Sequence, residues 1–410
     1  MAESTTPEPV SVADHVARIL DTIEPLGVYG QSLLDAGGLP IAEDVVSPIP
    51  LPPFDNSAMD GYAVVFHDVA DAADDHHVHL PVVGEIGAGQ AKLTAMSPGT
   101  AVKIMTGAPM PSGADAVVPY EWTDRGVAQV QIHRAPKLGQ HVRRAGEDVE
   151  EGEVLASEGT VLGPRQIGLL AAAGRAEVQA RPRPRVVVMS TGSELRDPGQ
   201  PLSRDSIFDA NSFMLAAAVR AAGGIPFRVG SVPDDRAGFT EALHDQLVRA
   251  DLVVTSGGVS EGDYDVVKEA LRETGTMWFG KVAMQPGKPQ GFGVVGDDEV
   301  PIFTLPGNPV SAYVSFQVFV LPALRKLQGH RPYERPTRTA RLTHGFSSPE
   351  GREQFVRADY DASVVTPVGG HASHLIGDLA NSNALIVVPA EVTSCKPGDS
   401  VQVLLLDEAP

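Results

Sequence analysis

The stretch ADLVVTSGGVSEGDYDVVKEAL, residues 250–271, decides the fold of the largest part of the chain. Its apolar run predicts a buried strand, the pair Gly257–Gly258 a loop, and the residues after the loop a helix. The same order of elements occurs in PRVVVMSTGSEL, residues 184–195, and in VPIFTLPGNPVSAYVSFQVFVLPALRKL, residues 300–327. Three such units predict an α/β domain with a parallel sheet. We expect its loops to emerge together at the carboxyl ends of the strands, where ligands bind in such sheets.

The segments on either side of this α/β region have the pattern of β structure. From about 40 to 145, short alternating runs are broken by Gly and Pro, which predicts a compact β domain. After the connector HRPYERPTR, runs such as TARLTHGF and NALIVVPA predict a small C-terminal β domain. Two helices are also predicted. Ser11 and Asp14 form a capping box before an apolar helical face, and a short helix begins near Pro164 and ends before Gly174.

Composition places the chain among soluble globular proteins of two to four domains, with 410 residues that are 42% hydrophobic. The 32 basic and 52 acidic residues give a net charge of −20. This disfavours nucleic-acid binding, because duplex binders neutralise phosphates with basic side chains. The single cysteine, Cys395, permits no internal disulfide. Together with an N-terminus that lacks an export signal and with no apolar run of about twenty residues, it predicts a cytoplasmic protein without a membrane span.

Carboxylates and lysines accompany the glycine-containing loops of the α/β region. The carboxylates in or just after these loops are Glu194, Asp209, Asp234, Asp235, Asp263 and Asp265. Hard oxygen ligands beside phosphates are how proteins hold Mg²⁺, although some of these residues must be helix caps, with Asp263 the obvious candidate. Lys281 and Lys288 add positive charge, and the PGK turn could project Lys288 towards an anion, whereas solvated lysines are the alternative. The set suits a metal-assisted reaction on a phosphorylated small molecule.

A second group of polar residues lies in two loops of the N-terminal half. LPPFDNSAMDGYAV, residues 51–64, contains Asp60, and VRRAGEDVEEG, residues 142–152, contains Arg144 and Asp148. Neither segment has the period of a core element, and loops so rich in polar residues are often functional, although turns with surface charges look the same.

A histidine-rich stretch, HDVADAADDHHVHL, raises the question of a metal site. His76, His77 and His79 could bind a metal. We expect a solvated surface loop instead, because no helical register or framework is evident for the ligands.

Seven motifs in combination resemble the molybdopterin molybdenumtransferase family, which includes the E domain of gephyrin. They are PPFDNSAMDGYAV, KIMTGAPMPSGADAVVPYE, RRAGEDV, VVVMSTGSEL, SGGVSEGDYDVVKEAL, PGKPQGFG and LPGNPVSAYVSF. The resemblance covers residues from about 10 to 405. It implies a multi-domain α/β plus β subunit whose α/β domain is akin to the molybdopterin adenylyltransferases. The expected domains are a discontinuous N-terminal domain over 8–52 and 147–183, an inserted β domain over 53–146, the α/β domain over 184–330 and a C-terminal β domain over 331–410.

The resemblance also implies an activity. Family members insert molybdenum from molybdate into adenylylated molybdopterin in the presence of a divalent cation, here expected to be Mg²⁺, and release AMP. A homodimer and a molybdopterin adenylyltransferase partner are implied as well. Carried over by motif, the catalytic residues are Asp60, Asp148, Glu194, Asp234 and Asp265, of which the last three would ligate the metal. The residues expected to bind substrate are Thr106, Arg144, Ser256, Gly257, Gly258, Lys281, Lys288, Pro306, Pro309 and Ser373. We expect the N-terminal group and the α/β group to meet across the dimer interface.

Two positions depart from the family pattern. Gln285 stands where a lysine is common, and Ser193 where an acidic residue is common, so one anion-binding charge is missing. Lys281, Lys288 or an arginine would have to compensate for the missing positive charge. The departures also leave open that the chain is a tungstate-handling or an inactive paralogue. Two other classes compete with the enzyme: a gephyrin-like scaffold or binding module, and a nucleotide-processing enzyme that shares only the α/β domain. The second would not explain PPFDNSAMDGYAV or RRAGEDV.

Overall fold

The structure is a computed structural model that describes residues 8–89, 95–232, 235–258, 266–272 and 276–407. The chain divides into two compact units. The first, here called the large unit, consists of Met1–Gln31, Gly38–Ala42 and Gln179–Pro410, and the second, the small unit, consists of Ser32–Gly37 and Glu43–Val178. None of the helices in the described ranges is long and apolar enough to span a membrane.

Among the first 180 residues, the described ranges 8–89 and 95–180 contain three helices and eleven short strands. They are α1 Val12–Thr22, β1 Tyr29–Ser32, β2 Val45–Val46, β3 Asn56–Ser57, β4 Gly61–Val64, α2 Phe66–Val69, β5 Val78–Ile86, β6 Ala101–Ile104, β7 Ala116–Pro119, β8 Gln129–Ile132, β9 Val142–Arg143, β10 Val154–Ala156, α3 Pro164–Ala172 and β11 Glu177–Ala180, with a 3₁₀ turn at Tyr120–Trp122. In the small unit, five strands form a sheet of order β7-β4-β6-β5-β8, in which only β5 and β6 are parallel. The prediction of short strands in this region is confirmed.

Helix α1 begins as its sequence predicts. The Ser11 side chain accepts a hydrogen bond of 3.0 Å from the backbone N–H of Asp14, which satisfies one of the free donors of the first turn. The apolar face of α1 is buried at Val12 and Ile19. The pattern missed His15 on the same face, which is 1% exposed and packs its ring 4.6 Å from that of Trp278 and 4.7 Å from that of Phe319.

The next 150 residues form the α/β part of the large unit. Its elements are β12 Arg185–Thr191, β13 Leu195–Arg196, β14 Ile207–Phe208, α4 Asn211–Ala221, β15 Ile225–Val232, α5 Arg236–Leu247, β16 Leu252–Ser256, α6 Val266–Arg272, β17 Trp278–Lys281, β18 Met284–Gln285, β19 Pro289–Val295, β20 Val300–Leu305, α7 Pro309–Ser315 and α8 Leu321–Gln328, with a π-helical turn at Phe316–Val320 between the last two helices.

A six-stranded sheet of order β15-β12-β16-β20-β19-β17 is the centre of this part. The first four strands are parallel, which confirms the predicted arrangement. The other two are antiparallel to their neighbours, and the sequence pattern did not predict them. Their antiparallel pairing follows from the short connections, residues 282–288 between β17 and β19 and residues 296–299 between β19 and β20, because parallel neighbours need a longer crossover.

Residues 337–405 form the last part of the large unit and contain a closed barrel. Its elements are β21 Thr337–Leu342, β22 Phe346–Ser347, β23 Glu353–Asp361, β24 Val364–Pro367, α9 Ile376–Ala380, β25 Ala384–Val388, β26 Ser394–Cys395 and β27 Ser400–Leu405. Strands β23, β24, β21, β27 and β25 pair in that order, and β25 pairs with β23 to close the ring. Strand β18, from the α/β part, adds to β23 in parallel, so that Gln285 lies beside Gln354. The prediction of β structure in the C-terminal region is confirmed, and the strands form a barrel within the large unit.

Candidate functional site

Three loops converge at the carboxyl ends of the parallel strands β12, β16 and β20. The loops are residues 191–194, 256–258 and 305–308, and we call the space between them the crevice. Gly257 donates its backbone N–H to the carbonyl of Leu305 at 3.1 Å. Gly257 has a φ of +96°, and a Cβ there would lie 2.8 Å from the carbonyl oxygen of Thr191. Only glycine allows the three loops to approach so closely, which confirms that they meet at one edge of the sheet.

Asn211, which the sequence did not single out, ties two of these loops together. Its side-chain amide donates to Ser256 Oγ at 2.7 Å and to the carbonyl of Gly307 at 2.6 Å. The Asn211 Oδ1 atom is buried and accepts no hydrogen bond from the part of the chain that the structure describes. The sequence did contain a pattern that could have pointed to Asn211: this polar residue is the first of helix α4 and follows a strand and a short loop.

The carboxylates near the crevice divide into an exposed one and two that cap helices. Glu194 is exposed, and its carboxylate lies against Gly192, where a Cβ would be 2.6 Å from Oε2. Asp209 is 1% exposed and accepts hydrogen bonds from Ser190 and Ser212, so it serves the start of α4. Asp235 accepts from the N–H of Gly238 at 2.8 Å and caps α5. These two are structural acceptors.

Asp234, Asp263 and Asp265 lie outside the described residues. Within the described ranges, no group of three or more His, Cys, Asp or Glu side chains has the arrangement of a metal site. Of the predicted metal ligands, the structure therefore places only Glu194.

The predicted lysines flank the turn that joins β17 to β19. Lys281 ends β17, and the carbonyl of Lys288 accepts the N–H of Val282 at 2.8 Å. Both lysines are half-buried. Gly287 has a φ of +103°, and its carbonyl accepts from Gln290 Nε2 at 2.6 Å, which fixes the PGK turn.

A loop of the barrel reaches the crevice, as the sequence-based assignment of Ser373 requires. Ser373 Oγ accepts from the side-chain amide of Asn308 at 2.9 Å, and its carbonyl accepts from the N–H of Val310 at 3.0 Å. Pro309 is the first residue of α7, and Pro306 is buried in the loop before it. The structure thus brings Ser373, Pro306 and Pro309 to one place.

In the small unit, Asp60 and Thr106 form a direct pair. Asp60 Oδ1 accepts from the Thr106 backbone N–H at 2.7 Å and from its hydroxyl at 2.8 Å. These two bonds favour the ionised carboxylate and lower the pKa of Asp60, the backbone bond contributing more. Asp60 is exposed. It is therefore an ionised carboxylate of fixed orientation that solutes can reach.

Arg144 is paired with a residue that the sequence did not assign to the site. Its Nη1 donates to Asp55 Oδ2 at 2.6 Å, and the N–H of Ala145 donates to Asp55 Oδ1 at 2.8 Å. The bond from Ala145 is the main cause that lowers the pKa of Asp55, with Arg144 as a further cause. Asp148 is exposed, and its backbone N–H donates to Leu51 at 3.0 Å.

Backbone hydrogen bonds join the motifs of the small unit. The carbonyl of Ser57 accepts from the N–H of Gly107 at 2.8 Å, and the N–H of Ser57 donates to the carbonyl of Ala108 at 3.0 Å. The N–H of Ala58 donates to the carbonyl of His141 at 2.8 Å. The loops of Asp60, Thr106 and Arg144 are thus one hydrogen-bonded assembly, although they come from three separate stretches of sequence.

The histidine-rich stretch is exposed at all three candidate positions, His76, His77 and His79. The His77 ring lies 2.6 Å from Gln131 Nε2 at its Nδ1 and 4.6 Å from the ring of His133. His76 and His77 thus lie in the exposed connection between α2 and β5, as the sequence favours, whereas His79 lies in β5, so the prediction of a loop is correct for only part of the stretch.

Family models match nearly the whole chain. Residues 10–174 match the MoeA N-terminal region (domain I and II), residues 187–326 a probable molybdopterin binding domain, and residues 339–406 the MoeA C-terminal region (domain IV).

Individual relatives agree with these matches. The chain is 46% identical to molybdopterin molybdenumtransferase 2 of Mycobacterium tuberculosis, over 96% of this chain and 98% of the relative. It is 42% identical to molybdopterin molybdenumtransferase 1 of that organism, over 97% and 99%. A crystal structure of a molybdopterin biosynthesis MoeA protein from Pyrococcus horikoshii superimposes with a TM-score of 0.82 at 30% identity, covering 98% of this chain and 100% of the other.

Proposed function

Because the chain belongs to the molybdopterin molybdenumtransferase family, a family of transferases in molybdenum cofactor biosynthesis, we propose that it inserts molybdenum from molybdate into adenylylated molybdopterin and releases AMP. The observation that carries this proposal is the convergence of three glycine-containing loops at the carboxyl ends of parallel strands. Glycines without side chains leave room for phosphate groups, which the adenylylated substrate carries, to approach the loop backbone closely.

Positive charge beside the crevice would complement the two anionic substrates. The protein as a whole has a net charge of −20, so long-range forces repel anions. Lys281 and Lys288 lie on the turn between β17 and β19, next to the barrel strand that carries Arg357. In this proposal they hold the pyrophosphate and molybdate, and Ser373 contributes its hydroxyl.

The exposed Glu194 carboxylate fits a hard cation such as Mg²⁺, because it stands in a loop beside the expected phosphate site. Asp234 and Asp265 would complete the ligand set. A bound Mg²⁺ would neutralise phosphate charge. The chain's own part is to hold Glu194 against Gly192 and to leave space for the substrate beside the glycines of residues 256–258.

We further propose a homodimer in which Asp60, Thr106, Arg144 and Asp148 of one subunit serve the crevice of the other. The four-domain division with its adenylyltransferase-like α/β domain, a cytoplasmic location and an adenylyltransferase that supplies the substrate belong to the same proposal. Support for the dimer comes from the sequence: the polar loops of the N-terminal half contain no phosphate cradle, and those of the α/β part do.

The decisive experiment incubates the purified protein with adenylylated molybdopterin, molybdate and Mg²⁺. We expect AMP release together with reconstitution of a molybdoenzyme that lacks its cofactor. Reactions with tungstate in place of molybdate test the tungstate-handling alternative. An absence of AMP release from an intact protein, with a relative from the same family active in parallel, would overturn the proposal and favour the binding-module reading.

A further inference from the structure

The barrel loop over residues 369–375, here called the clasp loop, is attached to the start of helix α7. Both attachments run through Ser373, whose hydroxyl accepts from Asn308 and whose carbonyl accepts from Val310. Val310 is the second residue of α7. The first N–H groups of a helix have no acceptor inside the helix, so the carbonyl of Ser373 satisfies a donor that the helix itself leaves free.

Two side chains of β23 contact the clasp loop, and Arg357 makes more of the hydrogen bonds, since Gln354 contributes a single contact of 3.3 Å between its Nε2 and His371 Nδ1. Arg357 lies in the middle of β23 and is 3% exposed. Its Nη1 donates to the carbonyls of Ala372 at 3.2 Å and Leu375 at 3.0 Å, and its Nη2 donates to the carbonyl of Gly370. A guanidinium presents several donors in a fixed planar fork, which makes it suited to gather three carbonyls of one loop.

The positive charge of Arg357 lies near the carboxylate of Asp378, a residue of helix α9 directly after the clasp loop. Burial lowers the pKa of Arg357, and the Asp378 carboxylate, 3.9 Å from Nη2, opposes that effect. Asp378 in turn occupies the space where a Cβ of Gly369 would stand, and Gly369 has a φ of +64°. Loop, arginine and carboxylate are therefore packed as one group, and a buried arginine without those acceptors would be costly.

We propose that Arg357 is a positioning residue for the crevice. It sets the conformation of the clasp loop, the loop places Ser373, and Ser373 fixes Asn308 and the first turn of α7 at the mouth of the crevice. The expected effect of Arg357 on substrate turnover rests on the proposed function. Its expected effect on the hydrogen bond of the Val310 N–H does not depend on that function.

The structural test is residue-resolved amide hydrogen exchange at Val310. Arg357→Met keeps the length of the side chain and removes its donors, and we expect the Val310 amide to exchange about tenfold faster or more, the equivalent of losing one hydrogen bond. Arg325→Met is the matched control. Arg325 is 7% exposed, donates to the carbonyl of Pro332 at 2.9 Å and has a pKa lowered by burial, but its hydrogen bond lies outside the clasp loop. Unchanged protection of Val310 in folded Arg357→Met would overturn the proposal.

If Arg357→Met does not fold, Arg357→Lys serves in its place, because it keeps the charge and the apolar stem and loses the fork. The same exchange measurement then decides, with loss of Val310 protection supporting the proposal and full protection refuting it.

The kinetic test separates positioning from general damage. We expect Arg357→Met to raise the KM for adenylylated molybdopterin or molybdate several-fold, and Arg325→Met to leave KM unchanged in the folded fraction. Arg357→Met combined with Ser373→Ala should raise KM by less than the two single effects multiplied, because both changes weaken the contact of the Ser373 hydroxyl with Asn308, whereas only Arg357→Met also disturbs the Ser373 carbonyl. Additive effects refute action through Ser373. If wild type shows no insertion activity, the proposed function fails, whereas the Val310 measurement still decides the role of Arg357.

Discussion

The side-chain amide of Asn211 lies 2.7 Å from the hydroxyl of Ser256 and donates a hydrogen bond to it. The same amide donates to the carbonyl of Gly307. One residue at the start of α4 thus fixes the distance between the loops after β16 and β20. The shape of the crevice therefore depends on a side chain that takes no part in the glycine motifs themselves.

Asn211→Asp should open the crevice. The substitution keeps the volume of the side chain but replaces the donor with an oxygen that repels the carbonyl of Gly307, at a cost of about 1–3 kcal/mol. We expect weaker binding of adenylylated molybdopterin by isothermal titration calorimetry, roughly tenfold or more. Asn383→Asp is the control, because Asn383 Nδ2 also donates to a carbonyl, that of Tyr360 at 3.0 Å, but in the barrel. Equal affinity losses in both variants would show that the effect is general.

The sequence predicted the parts of the fold that follow from local periodicity. The strand, loop and helix order around Gly257 and the capping of α1 by Ser11 are local signals, and both are confirmed. Closure of the barrel through the pairing of β23 with β25 depends on residues about thirty positions apart, which no local period encodes. For the proposed site, the motifs pointed to Asp60 but not to Asp55 or Arg357, because the contacts of those two depend on partners distant in sequence that no local pattern encodes.

Thr106→Val should raise the pKa of Asp60 but leave it below the ordinary value of 3.8. The substitution removes the hydroxyl bond and keeps the stronger backbone one. A lowered carboxyl pKa contributes stability above the unfolded-state value that is lost as pH falls through the folded one, so the variant loses that contribution at a slightly higher pH. Carboxyl-carbon NMR titration measures the change, and Asp55 in the same spectra is the internal control. An unchanged pKa for Asp60 would contradict the hydroxyl bond.

His15→Phe should make the protein less sensitive to mild acid. Burial, with a smaller effect of Arg18, lowers the pKa of His15 from 6.5 to about 3. Below pH 6.5 the unfolded chain binds a proton at His15, whereas the folded chain does not until the pH reaches about 3. As pH falls between these two pKa values, His15 therefore lowers the free energy of unfolding by about 1.4 kcal/mol per pH unit. Phenylalanine keeps a ring beside Trp278 and Phe319 and cannot titrate. Denaturant unfolding at about pH 7.5 and about pH 5.5 should show a drop for wild type larger by about 1.4 kcal/mol. Equal drops would mean that His15 is protonated in the fold.

Mixed subunits test whether two chains build each site. Asp60→Ala and Asp265→Ala should each be inactive alone. Random exchange gives dimers in a 1:2:1 ratio, and half of them would hold one intact site of two, so about a quarter of wild-type activity should return. The control is a mixture of Asp60→Ala with Asp148→Ala, two residues of the same predicted group, which should recover nothing. No recovery in the first mixture, with heterodimers shown by native mass spectrometry, would place all these residues in one subunit.

Gln285 is the position where a change of charge should act on molybdate alone. It lies in β18 beside Gln354, against the strand that carries Arg357, and its side chain is a neutral amide. A cation near an oxyanion at a partly solvated site adds on the order of 1 kcal/mol. Gln285→Lys should therefore lower the molybdate concentration for half-maximal insertion several-fold and leave the binding of adenylylated molybdopterin unchanged. Lys288→Ala should raise that concentration.

A different outcome would assign the PGK turn to the pyrophosphate: Gln285→Lys leaves the molybdate dependence flat, and Lys288→Ala weakens only the binding of the nucleotide-bearing substrate. Molybdate would then be held elsewhere, with Arg144 as the next residue to substitute.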